Sequence, residues 1–336
     1  MPSYFSHFVH RQWVLNVPKP TASFASKVAI VTGGNSGLGK ESVKHLVRLG
    51  ASKVIIASRN KSKGEQAKLE ILSSMRCSAD VLEVWELDIE SPTSIKAFVD
   101  RANRLDRLDA LLNNAGVSTV KYKLSYGTEQ AVGVNVIGTI LLAIQLVPKL
   151  KETARAFGVT PHMTFTQSAL YRLAKYPENP GDDIFAYMGN EKNVLMASQN
   201  QYHISKLMLN WAIIKLSSIV DPIKSQDPNP IVINSVDPMF CKTGIARDLP
   251  IQIKLIFKVF EFVFARPAEE GARRIVTAAS SGRETHGQYL QSDGQLIYED
   301  VVISNEGVKR GNYVWDLLCK KLEEIQPGVL ANLRSS

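Results

Sequence analysis

The chain has 336 residues, of which 45% are apolar, 21% charged and 8% aromatic. This is enough for one large domain or two modest ones with a sizeable core, and it excludes a disordered or collagen-like chain. The net charge is +8, all of it in the first half: residues 1–168 carry 21 Lys and Arg against 13 Asp and Glu, while residues 169–336 carry 19 of each. The first half is expected to meet something anionic: nucleic acid, a membrane surface or a phosphate-bearing ligand. Cys77, Cys241 and Cys319 form no CxxC pair, which argues against a disulfide scaffold and a zinc ribbon. The six histidines add no metal-ligand spacing, so no metal is expected.

Near the N-terminus the longest apolar run is Trp13-Val14-Leu15, too short for the core of a secretory signal. A reducing, cytoplasmic setting is expected. Strand patterns follow at Val28–Thr32, Val54–Ser58, Val81–Leu87, Ala110–Asn113, His162–Thr166, Ile231–Val236 and Gln288–Leu290. Helical periods lie between them at Gly37–Leu49, Lys63–Ser73, Pro92–Asn103, Thr128–Lys149, Tyr202–Ser218 and Ala268–Ala279. Such alternation predicts an α/β fold, a single doubly wound parallel sheet covered on both faces. Residues 1–26 form an N-terminal extension, 27–294 the sheet domain and 295–336 a C-terminal extension. Gln130 to Pro148 is 19 residues without a charge, read as a buried helix rather than a transmembrane span. Pro222–Pro230 reads as a loop leading into a strand.

The first strand runs into Thr32-Gly33-Gly34-Asn35-Ser36-Gly37-Leu38-Gly39 and then a helix. That is the context of a dinucleotide fingerprint: Gly33 for the tight turn, Gly37 and Gly39 for close backbone approach, and the N–H groups of Ser36, Gly37 and Leu38 near a pyrophosphate. Arg59 ends the second strand, 20 residues after Gly39, with no carboxylate next to it in sequence. An acidic residue there would hold the ribose of NAD, whereas arginine suits the 2′-phosphate of NADP. NADP is therefore expected, with Lys61 and Lys63 adding charge; the competing reading makes Arg59 a solvated strand end. Tyr202 and Lys206 stand four residues apart on a helix and so share a face. A tyrosine is a poor acid near neutrality, and an ammonium beside it favours the phenolate, so the pair suits proton transfer to a developing alkoxide.

The T-G-x-x-x-G-x-G loop, the Asn113-Asn114-Ala115-Gly116 strand end and Tyr202-x-x-x-Lys206 together resemble the short-chain dehydrogenase/reductase family. The resemblance runs from about Lys27 to Gln291 and implies a Rossmann-type fold. In that family Asp88 would bond the adenine amine; by sequence alone it serves equally as a helix cap. Asn114 would lie by the adenine ribose and brace the central strand. Ser168 would bond the substrate oxygen, and Asn135 would hold a water that relays protons to Lys206. Val236 and Thr243 would contact the nicotinamide. Two positions depart from the family pattern: Gln167 replaces the first of two serines, and Met239 replaces a glycine after Pro238, which puts the path of that loop in doubt.

Arg266–Ala272 and His286–Leu290 resemble the retinol-dehydrogenase-like subgroup, and the tail from Val314 resembles its long fungal members, which often tailor polyketides or terpenoids. The implied reaction is hydride transfer between nicotinamide and a carbonyl or alcohol of a bulky hydrophobic substrate. A retinol- or steroid-type dehydrogenase and a non-enzymatic NADP-binding regulator are the alternatives. Nucleic-acid binding finds no basic run with interleaved aromatics. Ala169–Gln201, far longer than the usual spacer, walls the substrate cleft or is a surface excursion. Residues 243–266 correspond to the family's substrate lid. Within them the apolar helix Ile251–Phe264 is open to three readings: lid, packing helix of a homo-oligomer, or peripheral membrane anchor.

Overall fold

The computed structural model describes residues 4–119, 121–196, 200–220, 229–242 and 251–334. Thr243, the 243–250 part of the expected lid and most of the 222–230 loop lie outside the described residues.

The chain opens with helix α1 (Tyr4–Trp13), which sequence patterning did not anticipate. It continues through β1 (Val28–Thr32), α2 (Gly37–Arg48), β2 (Lys53–Ser58), α3 (Lys61–Met75), β3 (Leu82–Glu86), α4 (Pro92–Ala102) and β4 (Ala110–Asn113). A short hairpin, β5 (Leu124–Ser125) and β6 (Thr128–Glu129), leads to α5 (Gln130–Val132), a π-helical turn (Gly133–Gly138) and α6 (Thr139–Phe157). Then come β7 (His162–Thr166), α7 (Ile184–Met188), α8 (Glu191–Met196), α9 (Asn200–Val220) and β8 (Val232–Val236). The last elements are α10 (Ile251–Phe264), α11 (Ala268–Ala278), β9 (Tyr289–Leu290), α12 (Asp300–Ile303) and α13 (Asn305–Ile325).

Helix ends follow local chemistry. The Asn60 side chain accepts from the Lys63 N–H and starts α3 two residues earlier than the apolar period implies. Arg76 ends it in a left-handed conformation. Ser91, rather than Asp88, caps α4, accepting from the Ser94 N–H.

Among the described residues, seven strands form one sheet in the order β3-β2-β1-β4-β7-β8-β9, every pairing parallel. Parallel strands need crossovers, and the helices of those crossovers cover both faces. Neighbouring residues of β1 enter opposite cores: Ile30 packs with α4, α6 and α9, and Val31 with α2 and α11. Because β2 and β3 lie on one side of β1 and β4 on the other, the carboxyl ends of β1 and β4 diverge. A crevice at such a switch point is where doubly wound sheets bind ligands. Among the described residues, Gln130–Phe157 is the one helical run long and apolar enough to cross a membrane, and its apolar window is 94% buried. It is a core helix. Among the described residues, the C-terminal extension adds to the sheet a single antiparallel bridge, Leu296 to Leu290 of β9. Helix α13 buries Val314, Leu318 and Leu322, and the indole N–H of Trp211 on α9 donates to the Val302 carbonyl (3.4 Å).

Candidate active site

The glycine loop takes the form its residues dictate. Gly33 (φ 65°) and Gly37 (φ 51°) adopt left-handed backbone, which costs other residues about 1–2 kcal/mol. A Cβ on Gly39 would strike the Gly33 carbonyl and come within 2.7 Å of Asn114 Nδ2. Ser36 starts α2 without a side-chain cap, so no side chain competes for the first-turn N–H groups. Leu38 is half-buried, in the contact between α2 and α11. The loop is thus a cradle that Gly39 keeps free of a Cβ, with helix-end donors at its rim, and it fits a dinucleotide pyrophosphate.

Asn114 locks the two diverging strands. Its Nδ2 donates to the Thr32 carbonyl (3.0 Å), and the N–H groups of Asn114 and Ala115 both donate to Thr32 Oγ1 (2.9 Å each). Thr32 is a positioning residue that sequence reasoning passed over, because its partner lies 82 positions away.

At the far edge of the crevice, Arg59 is exposed at the end of β2 and its Nη1 lies 3.3 Å from Glu90 Oε1. Glu90 also accepts from Lys123 (2.7 Å) and Gln130 (2.7 Å). The carboxylate missing beside Arg59 in sequence is therefore supplied from beyond β3. Lys63 is exposed on the first turn of α3. Asp88 Oδ1 accepts from the Glu90 N–H (3.0 Å) and Asp88 N–H donates to Ser94 Oγ (2.9 Å), which fixes the turn after β3.

Tyr202, Lys206 and Ser168 converge at the carboxyl ends of β7 and β8. Lys206 is buried, and its Nζ donates to the Thr166 carbonyl (2.8 Å) and sits 5.9 Å over the Tyr202 ring. Burial lowers its pKa to about 8. The Tyr202 phenol is pushed up to about 12 by burial first, a Ser168 hydrogen bond pulls it back, and Asp237 pushes it further up. Burial is the largest of these causes, so the phenol stands above its ordinary value rather than below it, contrary to the expectation from the neighbouring ammonium. Ser168 accepts from the Leu170 N–H (3.3 Å). Asp237, buried just past β8, is the residue that sequence patterning missed here; its Oδ1 accepts from the Met239 N–H (3.0 Å).

Asn135 lies in the π turn, a deformation common at functional sites. Its Oδ1 accepts from the Val117 N–H (2.9 Å), and its Nδ2 donates to the Val117 carbonyl (2.9 Å) and Ser205 Oγ (3.0 Å). Both Nδ2 protons and one Oδ1 lone pair are engaged by protein partners, and the amide ties the loop after β4 to α9. Gln167 takes a similar internal part: its Nε2 donates to the Lys206 carbonyl (3.1 Å) and Asn210 Oδ1 (2.6 Å). Val236 is buried at the tip of β8, and its carbonyl accepts from the Gln167 N–H (2.9 Å).

Met239 has φ 71°, the left-handed backbone natural to glycine. At Met239 itself the backbone therefore keeps a glycine-like conformation. In the 169–201 segment, Tyr171, Phe185 and Met188 are buried in the core. The Tyr122 hydroxyl donates to the Gly189 carbonyl (2.6 Å), and Arg172 pairs with Glu299 of the C-terminal extension (2.9 Å). The described part of the segment is thus anchored to the core at Tyr171, Phe185 and Met188, with most of its other residues at least partly exposed.

A crevice for a dinucleotide at the switch point of a doubly wound sheet, with a tyrosine–lysine–serine group beside it, defines a nicotinamide-dependent oxidoreductase. The family model described as short chain dehydrogenase matches residues 27–159. The short chain dehydrogenase/reductase dmxR8 of Cryptosporiopsis sp. is 36% identical over 331 residues, covering 97% of this chain and 99% of that protein. The short chain dehydrogenase atnD of Emericella nidulans is 36% identical over 299 residues, covering 88% and 93%. The chain belongs to the short-chain dehydrogenase/reductase family, with fungal relatives along most of its length.

Solved structures share the fold. A putative short chain dehydrogenase from Pseudomonas syringae superposes with a TM-score of 0.60 at 18% identity, covering 83% of this chain and all of the other. The Pseudomonas aeruginosa RhlG/NADP complex gives 0.58 at 18%, covering 81% and 96%.

Proposed function

We propose that the protein is an NADP(H)-dependent reductase, or in reverse an alcohol dehydrogenase, acting on a carbonyl of a bulky hydrophobic substrate in the cytoplasm. Residues 27–294 are its catalytic unit. The tailoring of a fungal secondary metabolite is the role that the kinship with dmxR8 and atnD favours. The observation that carries the chemistry is the convergence of half-buried Tyr202 and Ser168 on buried Lys206, which lies over the Tyr202 ring.

When bound, the dinucleotide supplies or accepts the hydride. Gly33, Ser36, Gly37, Leu38 and Gly39 hold its pyrophosphate, Asn114 and Asp88 the adenosine side, and Val236 and Thr243 the nicotinamide side. Arg59, now paired with Glu90, and Lys63 would hold the 2′-phosphate.

Ser168 donates to the substrate oxygen and orients it. Tyr202 gives its proton to that oxygen as negative charge develops there. Lys206 lies against the ring of Tyr202, favours the phenolate left behind, and bonds the nicotinamide ribose. Asn135 keeps the loop after β4 and helix α9 in register, which fixes the proton path toward Lys206. Burial holds the Tyr202 proton firmly until an alkoxide forms, so transfer is tied to reaction.

The test is oxidation of NADPH and of NADH with a panel of lipophilic ketones and aldehydes. Turnover with NADPH is expected to exceed that with NADH. Tyr202→Phe is expected to lower kcat by about 10²–10⁴-fold with cofactor binding retained. Full turnover in that variant overturns the mechanism.

A further inference from the structure

Helix α10 and the end of α1 form one apolar plateau that the catalytic reading leaves without a use. Phe262 is 80% exposed, Val259 61% and Val263 43%; on the other side Trp13 is 60% exposed and Val14 66%. The plateau is continuous. The Trp13 ring stacks on Phe264 (5.4 Å, interplanar angle 9°) and its indole N–H donates to the Val263 carbonyl (3.0 Å). Phe8 stacks on Phe260 at 5.9 Å. Two segments some 250 residues apart are thus assembled into one surface whose outer side chains gain nothing from the core. A contiguous exposed apolar surface of this kind marks an interaction site.

Charge identifies the partner. Lys242 Nζ sits 5.7 Å over the Phe262 ring, and Lys258 is exposed beside Val259. Glu261, half-buried, is the acid on this stretch of α10. Nearby arginines are internally paired, Arg266 with Glu270 and Arg11 with Asp293. Aromatic and aliphatic side chains flanked by the two lysines match a phospholipid surface with anionic headgroups: the apolar groups enter the acyl boundary and the ammonium groups meet phosphates. A second copy seated symmetrically on the same patch would bring lysines against lysines. The 14 residues of α10 extend about 21 Å, too short to cross a bilayer core.

We propose that the α1–α10 plateau docks this protein on the surface of an anionic phospholipid membrane. This stands independently of the catalytic reading, since it predicts binding rather than turnover.

The experiment is co-sedimentation of the full chain with vesicles of phosphatidylcholine, with and without phosphatidylserine. Binding to both is expected, tighter with phosphatidylserine and weakened by salt. Phe262→Asp should lower partitioning at least about tenfold on both. Lys242→Gln should lower it about fivefold on the anionic vesicles alone. Thermal melting of each variant, expected to match the natural chain, shows that the fold is intact. Recovery of the full chain in the supernatant with both vesicles overturns the proposal, as does wild-type partitioning by Phe262→Asp. A dimeric mass in light scattering that Phe262→Asp reduces to one chain assigns the plateau to a second copy and equally overturns it.

Discussion

Tyr202 and Lys206 share a helix face because four residues separate them, yet neither keeps its free-solution chemistry. Burial moves the phenol up to about 12 and the ammonium down to about 8. Desolvation penalises whichever form is charged, so the same environment moves the two in opposite directions. Met239 illustrates a different residue-scale constraint. Its φ of 71° is the backbone of a glycine, and a β-branched side chain is least suited to it. Met239→Val is expected to lose about 1–2 kcal/mol more stability than Met239→Gly, although valine is nearer methionine in size; urea unfolding of the two variants measures this.

Glu129 is buried at the start of α5, accepts from the Ala131 N–H (2.8 Å) and has its pKa raised to about 7, chiefly by desolvation. The folded value lies above the unfolded 4.5, so the carboxyl's contribution is complete below pH 4.5 and is lost as pH rises to about 7. Glu129→Gln keeps the acceptor without the charge. It is expected to exceed the natural chain in stability by about 3 kcal/mol near pH 8, with the difference vanishing near pH 4. Denaturant titrations of both chains across pH check it.

Among elements, α9 is the one on which the site depends most. It carries Tyr202 and Lys206, receives Asn135 through Ser205, and is backed by α13 of the C-terminal extension. Gly311 makes that backing close: a Cβ there would come within 2.8 Å of the Trp211 ring atom Cδ1. Gly311→Val should push α13 off α9, costing about 1–3 kcal/mol in a melting or urea experiment and lowering kcat through displaced Tyr202. The π turn shows an element shaped by its neighbours. Apolar periodicity predicts one unbroken helix through residue 135, but Gly133 and Gly138 abut Ser125 and Ile89. Those contacts come from the hairpin and the turn beyond β3, outside the helix itself.

At the scale of the whole molecule, the C-terminal extension completes the core rather than adding a domain. Leu318, Leu322 and Leu333 are buried in the cluster that includes α6 and α9. Truncation before Asn305 would uncover those helices, and the shortened chain is expected to be recovered mainly in the insoluble fraction, with residual soluble protein melting well below the full chain. The positive charge of the first half takes on a local meaning too. Arg59 and Lys123 share Glu90, so part of the excess is balanced at the edge of the cofactor crevice.

The sequence by itself determined the strand–helix alternation, the seven strands, the glycine cradle and the spacing of Tyr202 and Lys206. Each depends on interactions within a few residues: hydrophobic period, glycine conformation, helix pitch. Only the tertiary structure decided that Glu90 meets Arg59, that Asp237 stands near Tyr202, that Asn135 bonds Val117 and Ser205, and that α1 lies along α10. Those partners are 18 to 250 residues apart. Spacing carries no signal at such a range, because chain reversals through the sheet, rather than local geometry, bring the groups together.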